Sequence, residues 1–234
     1  MYECVSEISG AGRAPVCEQF FCRLVTGARE AADPAREFPR GAVLFEEGQA
    51  PRGVYVVCGG RVKLFNCSGD ARVLITDIAG PGDVLGLSAV VSGAPYEGTA
   101  EALEACRLFF VGREEFLRLL DGRAGAWAQA TRLLSHSYRT AHRQASVLGL
   151  STSAAGKLAS VLLEHPSLRG GRVGRGVKFK LTLTHEEIGQ LIGASRETVT
   201  RHLNEFKRRK FIETSGDALI LLDRPALEAL ALPC

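Results

Sequence analysis

The sequence predicts an α+β fold in three parts: an antiparallel β-roll, a long helix, and a C-terminal pair of short helices followed by a hairpin. Short apolar runs between glycine turns fill residues 38–110, a seven-residue repeat follows in residues 122–150, and two capped helical patterns meet at Gly193. The first pattern is typical of strands, and the other two have helical periods. We therefore predict domains at 1–121, 122–150 and 151–234.

The β-roll is predicted from runs of four to six residues rich in Val, Leu, Ile, Phe and Tyr. Glycines such as Gly48, Gly60 and Gly80 separate these runs, and turns of this density suit a compact antiparallel sheet. Residues 68–70, with the sequence SGD, are predicted to form a hairpin turn between RVKLFN and ARVLIT.

The long helix carries a narrow seam, whose positions are spaced alternately three and four residues apart. Such a repeat favours packing against another helix, because a helix packed on its own domain shows a wider apolar stripe. We predict a dimer interface made of Trp127, Thr131, Leu134, Tyr138, Ala141, Ala145 and Leu148. The small residues and the tyrosine also suit a helix that lies on the roll, which is the alternative.

The stretch from Leu183 to Lys210 predicts two short helices joined by a minimal turn. Thr184 and Glu187 have the spacing of a capping box, which satisfies free amide groups at the start of a helix. Gly193 suits the left-handed residue that ends this helix, and Ser195 suits the cap of the next one. Two helices joined this tightly must cross at a steep angle.

The second helix separates a buried face from a polar face. Val199, Leu203 and Phe206 fall on one side, and the opposite side carries Arg196, Glu197, Thr200, Arg201, Asn204 and Arg208. Arginine can pair with guanine and glutamate can accept from the amino group of cytosine, so this helix suits the major groove of DNA. An exposed helix with an ion pair between Glu197 and Arg201 is the structural alternative.

Charge and a second hairpin accompany the two helices. Residues 151–234 hold 13 Lys+Arg against 9 Asp+Glu, whereas residues 1–150 hold 16 against 17.

The segment FIETSGDALILLD reads as two alternating runs around residues 216–217, and therefore as a hairpin beside the helices. Two crossing helices followed by a hairpin predict a winged helix-turn-helix.

A glycine-punctuated roll, a long helix and a winged helix in this order resemble the bacterial Crp/Fnr transcription regulators. The segments EEIGQLIGASRETVTRHL, PRGVYVVCGGRVKL and PGDVLGLSAVVSGAPYEGTAEALE carry the resemblance, which extends over residues 35–232. It implies a cyclic-nucleotide-binding-like roll, a homodimer formed through the long helix, a palindromic operator in double-stranded DNA, and contact with RNA polymerase.

The resemblance also implies roles for individual residues of the helix pair. Arg196, Glu197 and Arg201 match the base-reading positions of members that bind TGTGA-type half-sites. Thr184, Ser195 and Thr198 match residues that hold phosphates or cap helices, and Thr200 completes the predicted DNA-binding set. A signal-binding module whose winged helix binds a protein is the alternative function, and the base-reading residue types favour DNA.

An effector pocket in the roll is a further implication of the resemblance, at Gly86, Leu87, Ser88, Gly98, Thr99 and Ala100. Members that bind cyclic AMP carry a glutamate where this chain has Leu87, and an arginine where it has Gly98. A cyclic phosphate would meet no guanidinium here, and Glu97 would repel it. We therefore expect that cyclic AMP is not bound in the usual way, and the identity of the effector stays open.

Fnr-type members suggest a second kind of sensor, an iron–sulfur cluster. Cys4, Cys17, Cys22 and Cys106 could supply four thiolates, although their spacing differs from that of the Fnr cluster. Burial as small apolar side chains is the default prediction for Cys58, Cys67 and Cys106. None of the five histidines falls in the roll, so haem ligation has no support.

Several classes of protein are excluded by what the sequence lacks. No apolar run approaches the roughly 18 residues that a membrane span needs, and the N-terminus has no signal-peptide pattern, so we expect a cytoplasmic protein. Seven irregularly spaced cysteines predict no disulfide framework. Because no nucleophile elbow, P-loop or H-E-x-x-H motif occurs, we expect no enzymatic activity.

Overall fold

The computed structural model describes residues 35–150, 153–164, 172–173, 176–180, 183–215 and 218–231. These residues belong to two compact units, one covering 35–66 and 77–139, the other covering 67–76 and the part of the chain from residue 140 onward. The first unit contains most of the roll and the N-terminal half of the long helix. The predicted boundaries at residues 121 and 150 stay a prediction.

Eight strands build the roll as two four-stranded sheets, with the orders β1-β8-β3-β6 and β2-β7-β4-β5. The strands are β1 (Arg36–Phe38), β2 (Val43–Phe45), β3 (Gly53–Gly59), β4 (Val62–Cys67), β5 (Val73–Ala79), β6 (Val84–Leu85), β7 (Thr99–Ala102) and β8 (Cys106–Gly112). β3 pairs with β8 and β4 pairs with β7, both antiparallel. The predicted antiparallel roll is confirmed.

Alternation of side chains along β3 and β8 creates the core of the roll. Val54, Val56 and Val111 are buried and pack with two short helices, α1 (Leu87–Ser92) and α2 (Arg113–Asp121). α2 contributes Phe116, whose side chain is fully buried. Burying a side chain of this size contributes about 2–3 kcal/mol, so this strand and helix layer is a main source of the roll's stability.

The hairpin turn between β4 and β5 forms where it was predicted. The amide of Ser68 donates to the carbonyl of Arg72, and the amide of Ala71 donates to the carbonyl of Ser68. The left-handed position is Ala71, with a φ of 60°, rather than Gly69. The apolar pattern located this turn, but the glycine did not mark its left-handed residue.

The long helix α3 spans Ala126–Leu150 and thus begins four residues after the predicted start at 122. Gly122 caps the C-terminus of α2, and Gly125 adopts a φ of 81°, so a short turn separates the two helices. Ala126 and Ala130 are buried against the core of the roll. The prediction missed this turn because glycine is tolerated in helical patterns at a modest cost.

The second unit contains the C-terminal elements. They are α4 (Ala154–Glu164), β9 (Arg172–Val173), β10 (Gly176–Lys180), α5 (His185–Ile192), α6 (Arg196–Arg208), β11 (Ile212–Ser215), β12 (Ala218–Leu221) and α7 (Arg224–Ala231). The strands form one sheet in the order β11-β12-β10-β9, and β11 pairs antiparallel with β12. This is the predicted winged helix. Among the helices of the described residues, none combines the length and the apolar character that crossing a membrane requires.

Two partly buried carboxylates, Asp77 and Asp83, lie at the end of β5 and the start of β6. Asp77 accepts a hydrogen bond from the amide of Ile78, and Asp83 accepts one from the amide of Gly80, both at 2.8 Å. Burial raises the pKa of both carboxyl groups, against the opposing effects of these hydrogen bonds and of His136, and the charge of Asp83 raises the pKa of Asp77 further. The native state therefore holds these protons to a higher pH than the unfolded chain does.

We expect Asp77→Asn to flatten the pH dependence of stability. With a raised native pKa, the free energy of unfolding falls as pH rises from the unfolded pKa of Asp77 to its native pKa. The asparagine oxygen can still accept from the amide of Ile78, but it carries no charge. Urea denaturation between about pH 4 and about pH 8 should show a smaller fall than in the parent. An equal fall in both proteins would contradict the assignment, and Glu47→Gln, at an exposed site, is the control.

Candidate nucleic-acid interface

The turn between α5 and α6 is set by two residues that the sequence predicted. Gly193 ends α5 in the left-handed conformation, with φ 66° and ψ 38°. Ser195 caps α6 with extended backbone, and its hydroxyl accepts from the amide of Thr198 at 3.2 Å. Because only Ala194 lies between these residues, the two helices are held at a fixed angle by backbone geometry.

Gly189, in the last turn of α5, also shapes the junction of the two helices, and the sequence did not predict this role. A Cβ atom at Gly189 would lie 2.5 Å from the carbonyl oxygen of Ala194, which is closer than real contacts allow. The amide of Ala194 also donates to the carbonyl of Gly189 at 2.9 Å. The last turn of α5 therefore needs a residue without a side chain where it meets the following loop.

Since the sequence predicts that α6 binds DNA, Gly189→Ala is expected to weaken DNA binding and stability together. The obstacle is a backbone atom, so the turn must open and α6 must shift relative to α5, at a cost of about 1–3 kcal/mol. Thermal unfolding and titration of a palindromic duplex measure both effects. Gly149→Ala is the matched control, because nothing lies within 4 Å of a Cβ at that helical position. Parent-like stability and affinity of Gly189→Ala would contradict this account.

The start of α5 is held by the predicted capping box. The amide of Glu187 donates to the hydroxyl of Thr184 at 3.1 Å, and the amide of Thr184 donates to the carboxylate of Glu187 at 2.6 Å. Thr184 thus acts as a cap in this structure. The next residue, His185, reaches across to the second helix, where its Nδ1 lies 2.8 Å from the hydroxyl oxygen of Thr200.

α6 has one buried and one open face, as the sequence predicted. Val199, Leu203 and Phe206 are each at most 4% exposed and anchor the helix. On the other side a shallow depression is lined by Arg196, Glu197, Thr200, Arg201 and Asn204. Arg196 and Arg201 are both exposed. The depression therefore brings together two guanidinium groups, a carboxylate, a hydroxyl-bearing side chain and an amide.

Glu197 is not engaged with Arg201 in the described residues, where no ion pair joins them. A hydrogen bond from the backbone amide of Glu197 itself lowers the pKa of its carboxyl group, followed by one from the hydroxyl of Ser195 and the charge of Arg196. The carboxylate thus folds back towards the N-terminus of α6. The proposed alternative of a simple Glu197–Arg201 ion pair is not the arrangement found.

The basic run at residues 207–210 contains one ion-paired arginine and three further exposed charges. Arg209 pairs with Glu205, with Nη2 and Oε1 2.7 Å apart, and its guanidinium lies 5.9 Å from the ring centre of Phe211. Lys207, Arg208 and Lys210 are exposed. These positions suit contacts with phosphates, which position a protein on DNA without reading its sequence.

Comparison with known proteins gives matches over both parts of the chain. The family profile of the cyclic nucleotide-binding domain matches residues 35–123, and that of the Crp-like helix-turn-helix domain matches residues 156–230. The chain belongs to the Crp/Fnr family. As a member it is a transcription regulator with a helix-turn-helix DNA-binding domain, and not an enzyme.

Individual relatives of this Crp/Fnr regulator have modest identity but long coverage. The CRP-like cAMP-activated global transcriptional regulator of Mycobacterium tuberculosis is 29% identical over 191 residues, which are 82% of this chain and 85% of the relative. The transcriptional activator FnrA of Stutzerimonas stutzeri is 28% identical over 199 residues, 84% of this chain and 80% of FnrA.

Solved structures of the family agree with the fold. FixK2 from Bradyrhizobium japonicum superposes with a TM-score of 0.74 at 25% identity, over 86% of this chain and 98% of FixK2. A CooA variant from Carboxydothermus hydrogenoformans gives a TM-score of 0.77 at 18% identity, over 93% and 98% of the two chains, and supports the fold alone.

The cyclic nucleotide implied by the family does not fit the residues of the predicted effector pocket. Leu87 is buried among Val54, Val111 and Phe116, where it belongs to the core and has no polar atom to offer. Gly86 adjoins the ring of Tyr96 so closely that a Cβ there would lie 2.7 Å from Cε1.

Tyr96 is itself fixed in this place. Its hydroxyl donates to the carbonyl of Gly53 at 2.6 Å and accepts from the amide of Gly53 at 3.2 Å. Its ring stacks on Phe45 with centroids 4.0 Å apart.

The remaining predicted pocket residues are Ser88, which is exposed, Gly98 and Thr99, which are half-buried, and Ala100, which is buried. The hydroxyl of Thr99 accepts from the amide of Glu47 at 3.1 Å.

The predicted seam of α3 is largely exposed within one chain. Trp127, Thr131, Tyr138, Ala141 and Ala145 are exposed, and Leu148 is half-buried. Leu134 is half-buried and packs against the core of the roll. Its role in an interface between two chains stays a prediction, as does the interface as a whole.

The cysteines give a mixed result. Cys4, Cys17 and Cys22 lie outside the described residues, so the structure does not test the alternative of an iron–sulfur cluster. Cys106 is buried, its Sγ lies 3.1 Å from the carbonyl of Arg61, and burial raises the pKa of its thiol. Cys67 is exposed, which corrects the prediction that it is buried, because it stands at the end of β4 beside the hairpin turn. Within the described residues no group of His, Cys, Asp and Glu could hold a metal ion.

Two residues of the helix pair were not predicted from the sequence. A glycine four residues before a helix C-cap signals a close backbone approach only when the following turn is known, so Gly189 passed as a helical residue. His185 contacts Thr200 across 15 positions of sequence, and no periodic pattern connects such a pair. Its position directly after a capping residue was the one available signal.

Proposed function

We propose that the chain acts as a homodimer that reads a palindromic operator through α6, and that a signal at the roll controls this binding. The depression lined by Arg196, Glu197, Thr200, Arg201 and Asn204 carries the proposal. Two arginines can pair bidentately with guanines, and the carboxylate can accept from a cytosine amino group. A helix that binds phosphates alone would gain no contact with DNA from the carboxylate of Glu197 on its open face.

The proposed dimer uses the exposed seam of α3 to place two recognition helices about one DNA turn apart, roughly 34 Å. Contact with RNA polymerase and a location in the cytoplasm, with the chromosome, complete the proposal. A signal that changes the packing of α3 across the dimer would reorient the recognition helices between two global states. Thr184 and Ser195 cap the two helices, and Thr198 lies in the first turn of α6, where its hydroxyl oxygen accepts from the hydroxyl of Ser195 at 3.2 Å. We assign these three residues to contacts with phosphates.

Titration of a palindromic duplex with two TGTGA-type half-sites tests the proposed function. The chain should bind it at least about 1000-fold more tightly than a duplex of the same composition with both half-sites scrambled, at physiological salt. Equal affinity for the two duplexes would contradict sequence-specific binding. It would favour a role in which the winged helix binds a protein.

Cyclic AMP is expected to leave this affinity unchanged. The relative from Mycobacterium tuberculosis is named for its activation by cyclic AMP. In this chain Leu87 is part of the core and Tyr96 fills the space beside Gly86. Duplex titration and thermal unfolding with and without millimolar cyclic AMP measure the effect, with 5′-AMP as control. Tighter binding or a raised Tm with cyclic AMP alone would show that the pocket opens.

A further inference from the structure

The hydroxyl of Thr200 has partners inside the helix pair on two sides. It donates to the carbonyl of Arg196, one turn earlier in α6, at 2.9 Å. Nδ1 of His185 lies 2.8 Å from the same oxygen. A threonine oxygen often bonds the carbonyl four residues before it, but that bond alone leaves two side-chain rotamers open. The contact with α5 selects between them.

His185 is well placed to fix this rotamer. It is the first residue of α5, and the capping box of Thr184 and Glu187 holds the backbone on which it stands. Burial lowers the pKa of its imidazole, as do the charges of Lys207 and Arg196, so the ring is neutral near neutral pH. A neutral ring can donate from Nδ1 while Thr200 donates to Arg196.

The position of Oγ1 restricts the direction in which the methyl group of Thr200 can point. Thr200 lines the depression together with Arg196, Glu197, Arg201 and Asn204. Its Oγ1 is turned towards His185, and the staggered geometry at Cβ places the Cγ2 methyl group in a different direction. Because Oγ1 has partners inside the helix pair, the methyl group is the part of the side chain that remains free to contact whatever fills the depression.

We propose that His185 is a positioning residue that holds Thr200 so that α6 presents a methyl group to the C5-methyl of a thymine. The inference rests on the proposed function, since it assigns one base of the operator. Contact between a threonine methyl and a thymine methyl is an established form of readout in the major groove. Cytosine and uracil lack this methyl group, so the contact selects thymine among the pyrimidines.

Uracil replacement tests the methyl contact directly. Each thymine of the TGTGA-type palindrome is replaced in turn by uracil, symmetrically in both half-sites, which removes one methyl group and changes no hydrogen bond. At one position the parent should bind the uracil duplex about fourfold more weakly per half-site. Thr200→Val, which keeps a methyl group in the depression, should retain this loss. Thr200→Ser, which keeps only the hydroxyl group, should abolish it.

The role of His185 is tested by the ratio of the affinity for the thymine duplex to the affinity for the uracil duplex. A general loss of stability or affinity would not change this ratio. His185→Phe removes Nδ1 and should reduce the ratio towards one. His185→Asn, whose amide can replace Nδ1, should restore it. In the Thr200→Val background, His185→Phe should leave the ratio unchanged, because valine presents a methyl group in either rotamer.

The outcomes separate this inference from the proposed function. A parent that binds the palindrome no better than the scrambled duplex overturns both. A parent that binds specifically but tolerates uracil at every position overturns the methyl contact alone. A ratio that survives in His185→Phe overturns the positioning role and leaves Thr200 to act by itself.

Discussion

Replacing Arg196 with alanine is expected to remove sequence preference as well as affinity. Arg196 is the first residue of α6 and lies exposed at one end of the depression. A bidentate pair between arginine and guanine is worth about 1–3 kcal/mol of discrimination, and a dimer would lose it in both half-sites. The Kd for the palindromic duplex should therefore rise towards the Kd for the scrambled duplex, both measured at one salt concentration.

Arg208→Ala is the control for the loss of a positive charge. Arg208 is exposed near the C-terminus of the same helix, outside the residues that line the depression. Its removal should weaken binding to both duplexes by a similar factor, because contacts with phosphates carry no sequence information. If Arg196→Ala kept the parent's preference for the palindrome, the assignment of α6 as a base-reading helix would be wrong.

Ala141→Glu is expected to give monomers that bind the palindrome at least about 100-fold more weakly, since the two half-sites would no longer be bound together. Ala141 is exposed and belongs to the seven-residue seam of α3. In a two-fold symmetric pairing of parallel helices, a residue near the axis meets its own copy, so two carboxylates would repel each other. Light scattering measures the mass, and duplex titration measures the affinity.

Charge complementation makes this experiment specific. Ala141→Lys should also be monomeric, whereas an equal mixture of Ala141→Glu and Ala141→Lys chains should form heterodimers and recover affinity. Ala128→Glu introduces the same charge at an exposed position of α3 outside the seam and should leave the dimer intact. Dimers of Ala141→Glu alone would contradict the proposed interface. Leu134 is a poorer test site, because it also packs against the core of its own roll.

Much of the fold was predictable because local signals and tertiary structure agree. Glycine turns delimited the strands of the roll, and the capping box, Gly193 and Ser195 marked the helix pair to the residue. The ends of helices were less certain where a glycine could either continue a helical pattern or end it. The helix predicted from residue 122 begins at Ala126, since Gly122 and Gly125 break a pattern that apolar spacing alone continues.

The candidate site was predictable as a set of residues but not as a set of contacts. Spacing placed Arg196, Glu197 and Arg201 on one face of α6, and the structure places all three around one depression. The structural alternative of an ion pair between Glu197 and Arg201 is not found, because the carboxylate of Glu197 turns to the helix N-terminus, where its own backbone amide and the hydroxyl of Ser195 are its partners. The contact between His185 and Thr200 depends on the crossing of two helices, which no local pattern encodes.

Selection of binding sites from a random duplex library, followed by sequencing, tests the central claim most directly. We expect a two-fold symmetric motif whose half-sites are centred about one helical turn, roughly 10 base pairs, apart. Each half-site should contain guanines that lose their selection in Arg196→Ala. Recovery of no motif, or of a motif without two-fold symmetry, would contradict a dimeric regulator that reads DNA through α6.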